Sequence, residues 1–269
     1  MLYRVGLSLL LFRLGVLGAL PDASSSGENV PTPGANFQPE RQLLEKARSA
    51  NGDLYSALQS FVCNEEIARF KGDLSGAKAH VVDHVSTKLS FENGVEHYSD
   101  ILQNTRSRPA LSDIEGAWSE GEFGTLLQQT EKLLETQPVS FVSFTTLRGS
   151  PAAVYNFDVT EEQSPWDLEV GARHYHIAFS TDVWISIASG EILKIARKSM
   201  AIAPETRISE IDWDVTLEAV NLNGATWLLP IEADYSVLYA ESKRREWNQM
   251  SFSNYRRYGS ESQLRFVGF

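Results

Sequence analysis

Between Ile211 and Tyr239, apolar residues occupy every second position on both sides of an Asn-Gly pair. Ile211, Trp213, Val215, Leu217 and Ala219 alternate with Asp212, Asp214, Thr216 and Glu218; Trp227, Leu229, Ile231, Ala233, Tyr235, Val237 and Tyr239 follow the turn. A period of two is that of a β-strand, and this one runs well beyond the usual length of about five or six residues. The pattern predicts one long antiparallel hairpin. Directly opposed residues share a face, so a two-residue loop at Asn223-Gly224 would set Leu217 against Pro230 and Val215 against Glu232. A three-residue loop, Leu222-Asn223-Gly224 with Gly224 left-handed, pairs Leu217 with Leu229 and Val215 with Ile231, and is the register expected. Such a ribbon is roughly 40 Å long at about 3.4 Å per residue, with one apolar and one acidic face. Its apolar face must cover something.

Elsewhere the period changes. Leu43, Leu44, Ala47, Ala50, Leu54, Tyr55, Leu58, Phe61 and Val62 recur at helical steps, and Asn51-Gly52 is expected to break or kink that helix. A strand follows over 62–70, then a hairpin in which Val81, Val85, Leu89 and Phe91 lead through Glu92-Asn93-Gly94 into 95–102. A second amphipathic helix is predicted over 122–135, with Phe123, Leu126, Leu127, Leu133 and Leu134 on one face. Strands are expected at 141–147, 153–159, 168–179, 183–188, 192–202, the long hairpin, 246–258 and 263–267, punctuated at Gly171, Gly190 and Gly259. Pro230 cannot donate to a ladder, which puts its strand at an edge or in a bulge. The fold class is therefore mainly β within α+β. About 11–12 antiparallel strands form a large, strongly curved sheet, covered by an N-terminal helix and a second helix.

Composition narrows the partners. A chain of 269 residues with 42% hydrophobic residues can bury one substantial core, and a formal charge of −11 repels nucleic-acid phosphate. Residues 1–20 carry Arg4, an apolar run and small residues at its end, the layout of an export signal; Arg13 interrupts the run, and an uncleaved N-terminal anchor is the alternative. Cleavage would remove Arg4 and Arg13 and take the charge from −11 to −13. Residues 21–39 are rich in Ser, Gly, Pro and Asn and read as a flexible linker, leaving 40–269 as a single folded domain. Periplasmic or secreted location follows from that reading, with membrane contact at most peripheral. Cys63 has no second cysteine to pair with and is expected to be a buried, inert thiol.

No catalytic signature emerges. His174 and His176 share a strand face, but no third ligand is identifiable, so no metal or cofactor is assigned. Asp212, Asp214, Glu218, Glu232 and Asp234 gather on one face; paired carboxylates could do acid and base work, but their strict alternation fits a solvated outer face. Lys243, Arg244, Arg245, Arg256 and Arg257 are local basic spots that fit a solubilising rim or anionic head groups. No serine sits in a Gly-x-Ser-x-Gly elbow, and Gly121-Glu122-Phe123-Gly124 lacks the spacing and lysine of a phosphate loop. The terminal Phe269 raises an outer-membrane barrel, but Arg265 and Gln263 fall where its closing strand needs apolar residues.

The first helix running into Phe61-Val62-Cys63, Val183-Trp184-Ile185 followed by Ile192-Leu193-Lys194-Ile195, and Leu228-Leu229-Pro230-Ile231 resemble the lipoprotein-carrier superfamily in order and apolar pattern. The segments beginning at Phe61, Gly116 and Ser251 are similar to uncharacterised secreted proteins common in acidobacteria. The resemblance implies that the curved sheet is an exported, unclosed half-barrel whose helices plug a hollow that holds acyl chains. On that expectation the protein is a non-catalytic binder of a lipid or acylated molecule, with Trp213, Leu217, Trp227, Leu229, Ile231 and Tyr235 lining the hollow. The alternative is an envelope protein interaction module whose core is filled by its own helices, with another envelope protein as partner.

Overall fold

The alternating segments pair into one large antiparallel sheet, and the two helical segments fall on its hollow side. The computed structural model describes residues 39–74 and 78–257, apart from the side chains of residues 53–56. The export segment, the linker through residue 38, the side chains of Leu54 and Tyr55, Gly259, the strand expected over 263–267 and Phe269 lie outside the described residues. The chain runs through α1 (Pro39–Leu58), β1 (Phe61–Asp73), β2 (His80–Glu92), β3 (Val95–Gln103), β4 (Arg106–Ser107) and α2 (Thr125–Thr136). It continues through β5 (Ser140–Leu147), β6 (Ser150–Val159), β7 (Asp167–Val170), β8 (Arg173–His176), β9 (Ala178–Ser186) and β10 (Ile192–Ala201). The last strands are β11 (Ile208–Leu222), β12 (Ala225–Tyr239) and β13 (Arg244–Arg257).

Eleven strands form the sheet in the order β4-β3-β2-β1-β13-β12-β11-β10-β9-β6-β5, and β7 and β8 form a separate pair. The sheet does not close, because β4 and β5 are its two edges. They are also consecutive along the chain, so the connection carrying α2 must travel from one edge to the other. It does so across the hollow, which puts Leu126, Leu127, Leu133 and Leu134 into the core. One apolar cluster joins α1, α2 and the inward side chains of the sheet.

Three local expectations need correction. The long hairpin turns in two residues: Leu222 pairs with Ala225, and both Asn223 and Gly224 have positive φ, 54° and 83°. That backbone twist matches the twist of the flanking strands, which favours Asn-Gly in such turns. The ladder is broken instead between Thr216 and Leu217, so Val215 pairs with Ala233, Leu217 with Pro230 and Glu218 with Leu229, and Ile231 is the extra residue of a bulge. The three-residue loop rested on an unbroken ladder. Pro230, without an N–H, sits at the interruption.

Asn51-Gly52 does not break α1, because the Asn51 side chain is buried and fully used. Its Nδ2 donates to the carbonyls of Ala47 and Gly190, and its Oδ1 accepts the N–H of Ile192. Residues 168–179 are not one strand: Gly171, at φ 66°, turns the chain so that β7 pairs back on β8. Trp166, just ahead of this hairpin, inserts into the core beside Phe179 and Trp213.

Candidate functional site

The concave face is built by parity. Where a strand alternates, every second side chain points into the hollow, and in β1 the buried set contains Phe61, Cys63, Glu65, Ile67 and Arg69. Charged residues therefore enter an apolar hollow at fixed places. Cross-strand register then lines them up: Phe157, Thr181, Arg197, Trp213, Tyr235, Asn248, Arg69 and Asp83 are paired neighbour to neighbour across the sheet. All of them are buried. A row containing several polar side chains crosses the floor of the hollow, directly beneath its helical cover.

At one end of the row the charge is answered. The Arg69 Nε lies 3.5 Å from Asp83 Oδ1, its Nη2 donates to the Glu115 carbonyl, and the guanidinium stacks 4.4 Å from the Trp118 ring centroid. In the middle it is not. Arg197 has Gln129 Oε1 at 2.7 Å and Thr130 Oγ1 at 3.2 Å, both on α2, and its guanidinium lies 4.7 Å from the Phe179 ring centroid. Burial alone pulls the Arg197 guanidinium down to about 9.

A second polar group holds the start of α2. Glu96 on β3 accepts the backbone N–H groups of Gly121, Phe123, Gly124 and Thr125 at 2.8–3.2 Å, and the Tyr98 hydroxyl at 2.6 Å. Gly124, the residue before the helix, has no side chain to cap it, so Glu96 satisfies these otherwise orphan donors from another strand. Close by, Glu122 and Glu65 are buried. Burial and then the nearby Glu96 charge push the Glu122 carboxyl up to about 8, and burial followed by Glu122 raises Glu65 well above the usual carboxylate range. Cys63 is buried beside them, with its thiol pushed up by burial.

The six residues expected to line the hollow divide. Trp213, Leu217, Leu229 and Tyr235 are buried in the core, with the Trp213 ring 5.7 Å from Trp166 and 6.4 Å from Tyr235. Trp227 is half-buried, edge-on to Phe61 at 5.4 Å, with the Arg257 guanidinium 4.7 Å from its ring. Ile231, the bulge residue, is half-buried and outside the apolar cluster. Ala219 is exposed.

Four of the acidic residues of the long hairpin are ion-paired: Asp214 with Lys194 at 3.0 Å, Asp212 with Lys198 at 3.6 Å, and Glu218 and Glu232 with Arg148. His174 Nδ1 donates to Asp167 Oδ2, 2.7 Å away, on the β7–β8 pair. Among the described residues no three His, Cys, Asp or Glu side chains converge as metal ligands.

Two surface depressions lie away from the hollow. One, of about 320 Å³, is lined by Gln103, Asn104, Thr105, Arg106 and Arg108; the other, of about 440 Å³, has Lys71, Lys78, His80, Lys243 and Arg244 in its rim. Side chains of α1 and α2 pack into the hollow as part of the apolar cluster. Sequence reading missed Glu65, Arg69, Arg197 and Trp166. The first three carried a usable signal: each is a charged residue at an inward position of an alternating strand, as Arg197 is two residues beyond Ile195.

No family model and no curated protein matches the sequence. Among solved structures, the chain is similar to a putative outer membrane lipoprotein-sorting protein domain from Vibrio parahaemolyticus, at 11% identity and TM-score 0.42, covering 82% of this chain and 95% of that one. A DUF1329 family protein from Desulfovibrio piger matches at 9% identity and TM-score 0.42, over 84% of this chain and 96% of the other. The Mycobacterium tuberculosis lipoprotein LppX matches at 12% identity and TM-score 0.27, over 82% and 98%.

Proposed function

We propose that this chain is an exported, non-catalytic binding protein that takes an apolar ligand, a lipid or an acylated molecule, into the half-barrel in place of α2. One observation carries the reading. The element that fills the hollow is a crossing segment rather than part of the ladder, and among the described residues no backbone hydrogen bond joins α2 to the sheet. Lifting it breaks side-chain contacts and leaves the eleven-stranded frame intact.

The apolar burial on each side is of similar size. Burying the four leucines of α2 contributes about 1.5–3 kcal/mol each, roughly 6–12 kcal/mol in all. An acyl chain of ten methylenes, at about 0.8 kcal/mol each, returns roughly 8 kcal/mol before association costs. The two burial terms are of similar size, before the Glu96 bonds at the start of α2 and the cost of association are counted. Export follows from the signal-like residues 1–20, and among the described residues no helix is long and apolar enough to cross a membrane.

Native mass spectrometry of protein purified from its own envelope, paired with titration of a fluorescent fatty acid, tests the proposal. Copurifying lipid and saturable uptake are expected. A clean ligand-free mass with no uptake points to the second reading, an envelope interaction module with a filled core. That reading is favoured by β5, an edge strand without charge that exposes Phe141, Val142 and Phe144.

A further inference from the structure

Arg197 is 1% exposed and heads the fully buried side chains in size. Its two hydrogen-bond partners, Gln129 and Thr130, are neutral, and its Nε has none. No ion pair includes it among the described residues. A guanidinium offers five N–H donors and no acceptor, so a site that supplies two neutral oxygens leaves both its charge and part of its donor set unanswered. The contrast with Arg69 is internal to the molecule: the same row, the same burial, but a carboxylate beside it.

The neighbouring position repeats the feature. Thr181 is the direct cross-strand partner of Arg197, has no exposure, and its hydroxyl has no hydrogen-bond partner. Side chains so paired stand about 4.5–5.5 Å apart at Cβ, close enough for one small acid group to reach both. Phe179, Trp213 and Trp166 wall this spot with aromatic surface, and α2 roofs it. The indole N–H of Trp213 favours the ionised form of Glu122 and so belongs to the acidic cluster.

We propose that Arg197 and Thr181 form an anion site on the floor of the half-barrel, which takes the acid group of an anionic amphiphile when its acyl chain replaces α2. This rests on the carrier reading above and adds the ligand class: a carboxylate or phosphate on a long alkyl chain, not a neutral lipid. When α2 leaves, Gln129 and Thr130 leave with it, and the guanidinium loses the two oxygens that it bonds among the described residues. A carboxylate or phosphate replaces them with charge-assisted bonds, for which the planar donor set of arginine is suited.

Binding of hexadecanoic acid, hexadecyl phosphate and hexadecanol to the whole folded domain separates the outcomes, with folding of each variant checked by circular dichroism. The two acids should bind about tenfold or more tighter than the alcohol. That preference should shrink to within about twofold in Arg197→Gln and persist in Arg197→Lys. Thr181→Val should weaken both acids without affecting the alcohol, and carries the test if Arg197→Gln does not fold. Acid and alcohol binding equally well overturns the anion site while the carrier reading stands. Binding of none of the three overturns both. A preference for one acid over the other identifies carboxylate or phosphate as the natural head group.

Discussion

The Oδ1 of Asn51, in the middle of α1, accepts the backbone N–H of Ile192 at the start of β10, 2.9 Å away. Its Nδ2 donates to the Gly190 carbonyl in the preceding turn, so one buried amide clamps the first helix to the sheet. Replacing Asn51 by Ala would improve helix propensity yet leave the Ile192 N–H and its neighbours unpaired. A buried group so orphaned costs about 1–3 kcal/mol, which outweighs a propensity gain of a few tenths. Urea denaturation of Asn51→Ala should show a net loss of that size; an unchanged midpoint would remove Asn51 as the clamp.

Glu96 performs the corresponding task for α2. Four backbone N–H groups and the Tyr98 hydroxyl converge on its carboxylate. Glu96→Ala should cost about 2–3 kcal/mol, in the range for hydrogen bonds to charged groups. Hydrogen exchange should accelerate most at residues 121–125. Uniform acceleration across the sheet would mean that Glu96 acts on global stability and not on the helix start.

The buried Glu122 gives stability a pH dependence of definite sign. Its folded-state pKa, about 8, lies above that of the unfolded chain, so the native state holds a proton that the unfolded state has lost. The contribution is fully present below about pH 4.5 and declines as pH rises, until the folded carboxyl also ionises near 8. Glu65 shifts in the same direction. Thermal melts should therefore show Glu122→Gln gaining on the wild type between pH 5 and pH 8, with little difference at the acidic end. Parallel curves for the two proteins would locate the dependence elsewhere.

Arg197→Met should raise the melting temperature of ligand-free protein. A buried charge without a counter-ion bears an uncompensated desolvation penalty, and exchange of buried ionic groups for apolar ones of like volume is neutral or stabilising by about 1–4 kcal/mol. The hydroxyl of Thr130 retains its bond to the Leu126 carbonyl after the change. A melting temperature lowered by many degrees would show that the contacts with Gln129 and Thr130 outweigh the desolvation.

The sheet and both helices were legible from period alone, because alternation and helical spacing are local properties; the unclosed form of the sheet was implied only by the resemblance. Trp213, Leu229 and Tyr235 are buried as their alternation required. The misreadings were all failures of a local rule before a distant partner. Asn51 reads as a helix breaker until its amide finds the β9–β10 turn. Parity ruled out a two-residue turn at Asn223-Gly224 until the bulge at Ile231 restored the count.

The sequence by itself determined which faces of the chain are apolar, and hence that a long curved sheet would need a helical cover. Only the tertiary structure decided which inward residues stand side by side. Thr181, Arg197 and Trp213 are sixteen residues apart at each step, and become neighbours through the pairing of β9 with β10 and β10 with β11. Strand register is a non-local quantity, set by turns and bulges together. A cation on an alternating strand is visible in the sequence; that no carboxylate among the described residues arrives beside it depends on every pairing in the sheet.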